Sequence, residues 1–195
     1  MTAAEPALTL VDWRARVADL YAAVRAARDP AEGHRLWQEG RAQLFATHPQ
    51  SPTRDAVEYW PYDPALRFEV PVLAAGPEDR EVDTGGDGTL AMRRIGRVEL
   101  PSPVSASLDV WWLHQYAGGV FVPLRDGTAG SGSYGGGRYL LDTAKGAWLG
   151  GDDSALVLDL NFAYHPSCRY DDRWRCPLAP PGNTIAAWVE AGERL

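Results

Sequence analysis

The chain has 195 residues, 45% of them hydrophobic and 23% charged, with a formal net charge of −7 at pH 7. That length and balance describe one domain, residues 1–195, with a sizeable core, and exclude compositional disorder. The acidic balance and the absence of any basic block argue against a nucleic-acid surface or an anionic membrane as partner.

The opening "MTAAEPALTLVDW" has no basic segment followed by an apolar one, so no signal peptide is expected. No hydrophobic run exceeds five residues, so no membrane span is expected either. The expected location is the cytoplasm. Two cysteines, Cys168 and Cys176, are too few to build a disulfide scaffold in a chain of this size.

Residues 1–50 read as two helices. Thr9 and Asp12 have the spacing of a capping box for the first, and Leu10, Trp13, Val17, Leu20, Tyr21 and Val24 recur on one helical face. The second opens at Asp29 as cap, with Pro30 in the first turn and Glu32 near the positive dipole end. Leu36, Trp37, Leu44 and Phe45 form its apolar stripe, and "THPQSPTRD" at 47–55 ends the helical part.

From residue 55 the period drops from about 3.6 to 2. Leu66, Phe68, Val70 and Val72 alternate with Arg67, Glu69 and Pro71. "DTGGDGT" at 83–89 reads as a turn before Leu90, Met92, Val98 and Leu100. "ASLDVWWLH", "VFVPLRD", "RYLL", "ALVLDLNFAY" and "TIAAWVEA" complete seven extended segments. His114 continues the face of Leu108, Val110 and Trp112, where a lone histidine reads as a core residue. In "ALVLDLNFAY" the even positions from Leu156 to Tyr164 share one face, with Asp159 and Asn161 on the other. With no helices interleaved, the expected fold is α+β: a helical pair packed on a mainly antiparallel β-barrel or β-sandwich.

"RDGTAGSGSYGGGRYLL", residues 125–141, contains a G-x-G-x-x-G at Gly130, Gly132 and Gly135. A dinucleotide fingerprint needs a helix after it, and here a strand follows. A Walker loop needs Gly-Lys-Ser/Thr, whereas Lys145 precedes Gly146. The glycines therefore read as a tight β-connection. Asp126 follows an apolar strand, and a carboxylate there is costly unless paired. Asp126 or Asp159 is expected to meet Arg125 or Arg138. That network either fixes the strands or presents an arginine to an anionic ligand.

"AYHPSCRYDDRWRCPL" brings His165, Cys168 and Cys176 within twelve residues. Zinc would need a fourth ligand and usually a tighter cysteine pair, so no metal is assigned. A disulfide, a redox pair, two buried thiols, or Cys168 as a nucleophile all stay open. No G-x-S-x-G elbow or H-E-x-x-H helix occurs.

"FVPLRDGTAGSGSYGGGRYLL", "LDLNFAYHPSCRY", "CPLAPPGN" and "VEAGE" resemble, in order and spacing, the family known as domain of unknown function 1684 (DUF1684). "YWPYDPALRF" and "LWQEGRAQLF" resemble its N-terminal part, so the likeness covers most of residues 35–194. It matches Arg125, Asp126, Tyr134, Gly136, Arg138, Tyr139, Asp159, Asn161, Tyr164, Cys168, Cys176, Pro177 and Asn183 to the family's signature positions. Leu160 stands where the family usually has phenylalanine, and His165 where it has asparagine. The resemblance implies that the glycine loop, the Arg–Asp–Asn residues and both cysteines form one set.

The expected function is an enzyme acting on a small polar or anionic molecule in a pocket at one end of a barrel. Asp126 and Tyr134 would handle protons and Cys168 would be the nucleophile. Arg125, Arg138, Asp159, Asn161 and Tyr164 would bind the ligand. The rival is a non-catalytic binding or scaffold domain in which the same cluster is structural. A flavin-binding barrel stays open, and no motif names a cofactor.

Overall fold

The computed structural model describes residues 4–83, 88–114 and 116–195. Helix α1 spans Glu5–Ala26 and α2 spans Pro30–Thr47. The first starts earlier than the Thr9–Asp12 capping box implies. Pro6 occupies its first turn, Thr9 Oγ1 donates to the Pro6 carbonyl at 3.0 Å, and Asp12 pairs with Arg16 instead. A proline that is pre-set for helix and needs no N–H partner outweighed the hydroxyl cap. The second cap is as read: Asp29 accepts from the Ala31 N–H at 2.8 Å. His34, Trp37, Leu44 and Phe45 are the buried side chains of α2, while Leu36 is only half-buried.

Strands β3 (Asp79–Asp83), β4 (Thr89–Leu100), β5 (Ala106–His114), β6 (Val120–Leu124) and β7 (Arg138–Asp142) form a five-stranded antiparallel sheet in chain order. The turn expected at 83–89 lies largely outside the described residues. Strand β2 (Arg67–Pro71) pairs with β8 (Ala155–Asp159), and β1 (Glu58–Tyr59) pairs with β9 (Glu193–Arg194), both antiparallel. Among the described residues, single bridges, Leu73–Arg97 and Tyr139–Tyr164, link the segments that follow β2 and β8 to the larger sheet. Among the described residues the sheets do not close into a barrel. The architecture is α+β, with two helices and antiparallel sheets.

Three readings change. Strand β8 stops at Asp159, whose carboxylate accepts from the Asn161 N–H at 3.0 Å and starts a turn of 3-10 helix over Leu160–Phe162. A strand running on to Tyr164 is thereby cut short by a side-chain cap. "TIAAWVEA" forms no strand; it touches the sheet through one parallel bridge, Arg125–Thr184. His114 is exposed, because burial along β5 moves to the odd positions, with Trp111 and Leu113 inside and Trp112 38% exposed.

The core joins both sheets. Val98, Leu108, Val110, Val122, Leu124, Leu141 and Leu158 are fully enclosed, each side chain contributing about 1.5–3 kcal/mol of transfer free energy. Asn183 fastens the C-terminal segment to this core. It accepts from Trp111 Nε1 at 2.8 Å and donates to the Asp109 and Pro123 carbonyls at 2.8 and 3.0 Å. A buried amide with donors and acceptor all used fixes one register for the segment after it.

Candidate functional site

The glycine loop runs from the end of β6 to the start of β7. Gly137 has φ +90°, and a Cβ there would stand 2.5 Å from the Leu124 carbonyl. Only glycine tolerates both the left-handed backbone and that approach. A Cβ at Gly136 would meet the Tyr134 ring at 2.5 Å, so the missing side chain is the space in which that ring lies.

The loop ends bring Asp126 and Arg138 together, as the unfavourable burial of a lone carboxylate demanded. Arg138 Nη2 donates to Asp126 Oδ1 at 3.0 Å, with neither side chain exposed. Nη2 also donates to the Val189 carbonyl at 3.0 Å, and Nη1 to the carbonyls of Ala191 and Glu193. Asp126 in turn accepts from the Val189 N–H at 3.0 Å, the Thr128 N–H at 3.2 Å and the Thr128 hydroxyl. Since Thr128 spends its only proton on Asp126, Ser133 donates to Thr128 Oγ1, 2.8 Å away. Arg138 lies 5.2 Å from the Trp60 ring, and its Nε alone has no partner among the described residues. Burial lowers the Arg138 pKa, while Asp126 opposes the shift. This pair faces inward and clamps residues 189–193. Arg125 does not join it: exposed, it donates from Nε to the Gly135 carbonyl at 2.9 Å.

Asp159 and Asn161 lie in a second place. Asn161 Nδ2 donates to Asp159 Oδ1 at 2.7 Å and to the Asp63 carbonyl at 2.8 Å, and its Oδ1 accepts from the Asp63 N–H. Tyr62 donates to Asp159 Oδ2 at 3.2 Å, and a His34 ring nitrogen stands 2.8 Å from the Asn161 carbonyl. Burial pushes the Asp159 carboxyl up against those hydrogen bonds. A cavity of about 100 Å³ beside it is lined in part by Arg25, Arg67 and Leu149.

Tyr134 and Cys168 meet in a third place, where Cys176 joins them. Both thiols are free and half-buried. Cys168 sits on a turn of 3-10 helix, Ser167–Arg169, and its hydrogen bonding is the largest influence lowering the Cys176 thiol. Hydrogen bonding with the Tyr134 hydroxyl opposes the rise of the Cys168 thiol and adds to burial in raising the tyrosine's own pKa. Tyr139 reaches Cys176 as well as the Pro177 carbonyl, to which it donates at 2.7 Å, and Lys145 adds a positive charge nearby. The donors from Cys168 outweigh burial and pull the Cys176 thiol down to about 6. The same hydrogen bond, assisted by burial, pushes the Cys168 thiol up. The two thiols titrate as a pair, in which the hydrogen of one favours the thiolate of the other.

Glu193 braces this region from beneath. Its fully buried carboxylate accepts from Arg41 Nε at 2.6 Å, from the His165 N–H at 2.6 Å and from the Tyr170 hydroxyl at 2.9 Å. His165 Nε2 accepts from the Tyr134 N–H at 3.1 Å, so its ring proton sits on Nδ1, 3.5 Å from Glu193 Oε2. Burial holds the His165 pKa down at about 4. The neutral ring has no nitrogen left for substrate; it positions Tyr134. Arg41 lies 4.9 Å from the Tyr164 ring, and both border a cavity of about 70 Å³ that extends to Tyr139, Lys145 and His165.

Among the described residues no group of three or more His, Cys, Asp or Glu side chains has metal-holding geometry. No described helix is long and apolar enough to cross a membrane. The residues singled out from sequence occupy three clusters, with Arg125 apart on the loop and Tyr164 packed on the Tyr139 ring, centroids 5.7 Å apart. Lys145, Glu193 and Arg41 carry no local motif and were missed. Each acts across a contact that only the fold creates.

Residues 54–194 match the family model described as protein of unknown function DUF1684. The chain belongs to the DUF1684 family. No curated protein matches it. Among solved structures it is similar to an uncharacterized protein of Haloarcula marismortui, determined by solution NMR, at 32% identity and a TM-score of 0.58. That likeness covers 81% of this chain and 90% of the archaeal one. The DUF1684 region contains the whole glycine loop, both cysteines and Glu193, whereas α1 and α2 precede it.

Proposed function

We propose that this DUF1684 protein is a thiol-dependent cytoplasmic enzyme acting on a small polar or anionic molecule beside the cavity bordered by Tyr139, Lys145 and Tyr164. What supports this reading is that Cys176 is one of two free, half-buried cysteines and that hydrogen bonding from Cys168, with a smaller share from the charge of Lys145, lowers its thiol. Those groups favour the charged form, and a thiolate is the nucleophilic form of cysteine. Cys176 attacks, Cys168 holds a proton beside it, and Tyr134 donates to Cys168. Lys145, with its side chain 54% exposed, supplies the positive charge that an anionic substrate meets first. A reducing cytoplasm keeps both thiols available.

Differential alkylation at pH 7 tests this. Intact protein is treated with limiting iodoacetamide and the modified peptides are measured by mass spectrometry. Cys176 is expected to take most of the label, and equal labelling of the two cysteines would overturn the assignment.

A second reading is supported by the Asp126–Arg138 pair, whose partners are all internal. In it, this pair and the Asp159–Asn161 turn are scaffold, and the chain binds its small molecule without transforming it. Labelling confined to neither cysteine, with ligand still retained, favours that alternative.

A further inference from the structure

The cavity beside Asp159 takes no part in the thiol reading. It holds about 100 Å³ and shares no lining residue with the one at Tyr139, Lys145 and Tyr164. The last turn of α1 supplies Arg25, β2 supplies Arg67 and β8 supplies Asp159, while buried Leu149, Val157 and Phe162 give apolar walls. Arg67 and Asp159 stand directly opposite each other in the β2–β8 register, where opposite charges ordinarily pair. Here they stay apart. Asp159 is 2% exposed, and its Oδ1 is filled by the Asn161 N–H at 3.0 Å and Asn161 Nδ2 at 2.7 Å. Its Oδ2 accepts from the Tyr62 hydroxyl at 3.2 Å and has a second lone pair to offer. Arg67 is exposed and makes no hydrogen bond or ion pair with any described residue. Arg25 is held over the cavity by Nη1, which donates to the Trp148 carbonyl at 2.6 Å and spends one of several donors. Two guanidinium groups face one carboxylate, so the wall is cationic whether or not Asp159 is ionised.

We propose that this cavity is a binding site for a short hydroxy-carboxylate, separate from the cysteines and independent of their chemistry. The alkyl body lies against Leu149, Val157 and Phe162, the hydroxyl donates to Asp159, and the carboxylate accepts from Arg25 and Arg67. Size limits the ligand. An apolar cavity of about 150 Å³ holds benzene, so about 100 Å³ accommodates a body of about four non-hydrogen atoms. The charged end stays at the rim, because both arginines are exposed and Asp159 is not. A carboxylate there gains two cationic partners without losing all of its water, and it replaces no bond that Arg67 makes within the chain.

Calorimetric titration of the full chain with 2-hydroxyisobutyrate, whose body beyond the carboxylate matches that size, is the test. Saturable binding at a single site is expected, with a dissociation constant of about 1 mM or tighter. Isobutyrate lacks the hydroxyl and is expected to bind about tenfold more weakly; equal affinity would contradict the role of Asp159. 2-Hydroxyisobutyramide lacks the charge, and affinity equal to that of the acid would contradict the role of the arginines. These three ligands are compared on wild type, so the outcome does not depend on the folding of a variant. Arg67→Gln removes a charge that no described residue pairs with. It is expected to keep the melting temperature and to weaken binding of the acid at least about tenfold. Heat that fails to saturate by about 50 mM, or binding that Arg67→Gln leaves unchanged, would overturn the proposal. So would loss of binding in a Cys176→Ser chain that keeps its melting temperature, since the ligand would then sit at the thiol. Arg67-dependent binding alongside equal alkylation of the two cysteines would support this site and remove the thiol reading alone.

Discussion

Arg138 and Asp126 meet at 3.0 Å with both side chains fully enclosed, twelve residues apart and at opposite ends of the glycine loop. The pair closes the loop and also anchors the C-terminal segment through Val189, Ala191 and Glu193. Breaking it leaves a buried carboxylate without its cation, which costs on the order of 3–5 kcal/mol. Arg138→Met is expected to lose that much in urea denaturation, and Asp126→Leu/Arg138→Met to regain part of it. A single-variant loss below about 1 kcal/mol would show that the pair is no staple.

Gly137 turns the chain from the loop into β7 at φ +90°, with the Leu124 carbonyl 2.5 Å from where a Cβ would stand. Gly137→Ala is expected to cost on the order of 1–3 kcal/mol, since strain and contact add. Thermal unfolding measures it. Selective alkylation of Cys176 should weaken in the same variant, because the loop that places Tyr134 shifts.

Much of this was readable in advance and some was not. Asp29 with Pro30 announced α2, and the alternation from Leu66 to Val72 announced β2. The electrostatic cost of a buried carboxylate predicted a partner for Asp126, and Arg138 is that partner. The end of β8 was hidden, because the cap that stops it is the very Asp159 that also fits a strand pattern. Among the described residues the sheets do not close into a barrel, because the segments beside β2 and β8 meet the five-stranded sheet through isolated bridges. Glu193 was illegible: its three partners come from α2, from the stretch after β8 and from the loop at Tyr170, separated by up to 152 residues. The pairing of Cys168 with Cys176 was one alternative among several, and their spacing alone could not divide the roles between them.

His165 is held neutral, at about 4 against an ordinary 6.5. A folded-state pKa below the unfolded one means the unfolded chain binds the extra proton between those values. Stability from this residue is complete above pH 6.5 and is lost as pH falls toward 4, by on the order of 3 kcal/mol. His165→Asn keeps an acceptor for the Tyr134 N–H and cannot protonate. Denaturation at pH 7.5 and 4.5 should show a larger loss for wild type than for the variant. Equal losses would mean that His165 is not desolvated.

The groups around Cys176 differ in weight. Hydrogen bonding from Cys168 is the largest influence lowering its thiol, and the charge of Lys145 is a smaller one. Cys168→Ala is therefore expected to raise the midpoint for Cys176 alkylation more than Lys145→Gln does. Alkylation rates across pH 5–9 give the two shifts, and the reverse order would place the lysine first.

Cys176 is expected to rest as a thiolate at neutral pH. Thiolate absorbance at 240 nm, titrated in the Cys168→Ser variant and in wild type, with Cys176→Ser as the blank, reads this directly. Serine at 168 still offers a hydroxyl and its backbone N–H to the Cys176 sulfur. A midpoint near 6 is expected for Cys176 in wild type, where hydrogen bonding from Cys168 favours its thiolate. A modest rise is expected in Cys168→Ser. A wild-type Cys176 midpoint of about 8.5 or higher, the range of an unassisted thiol, would contradict it.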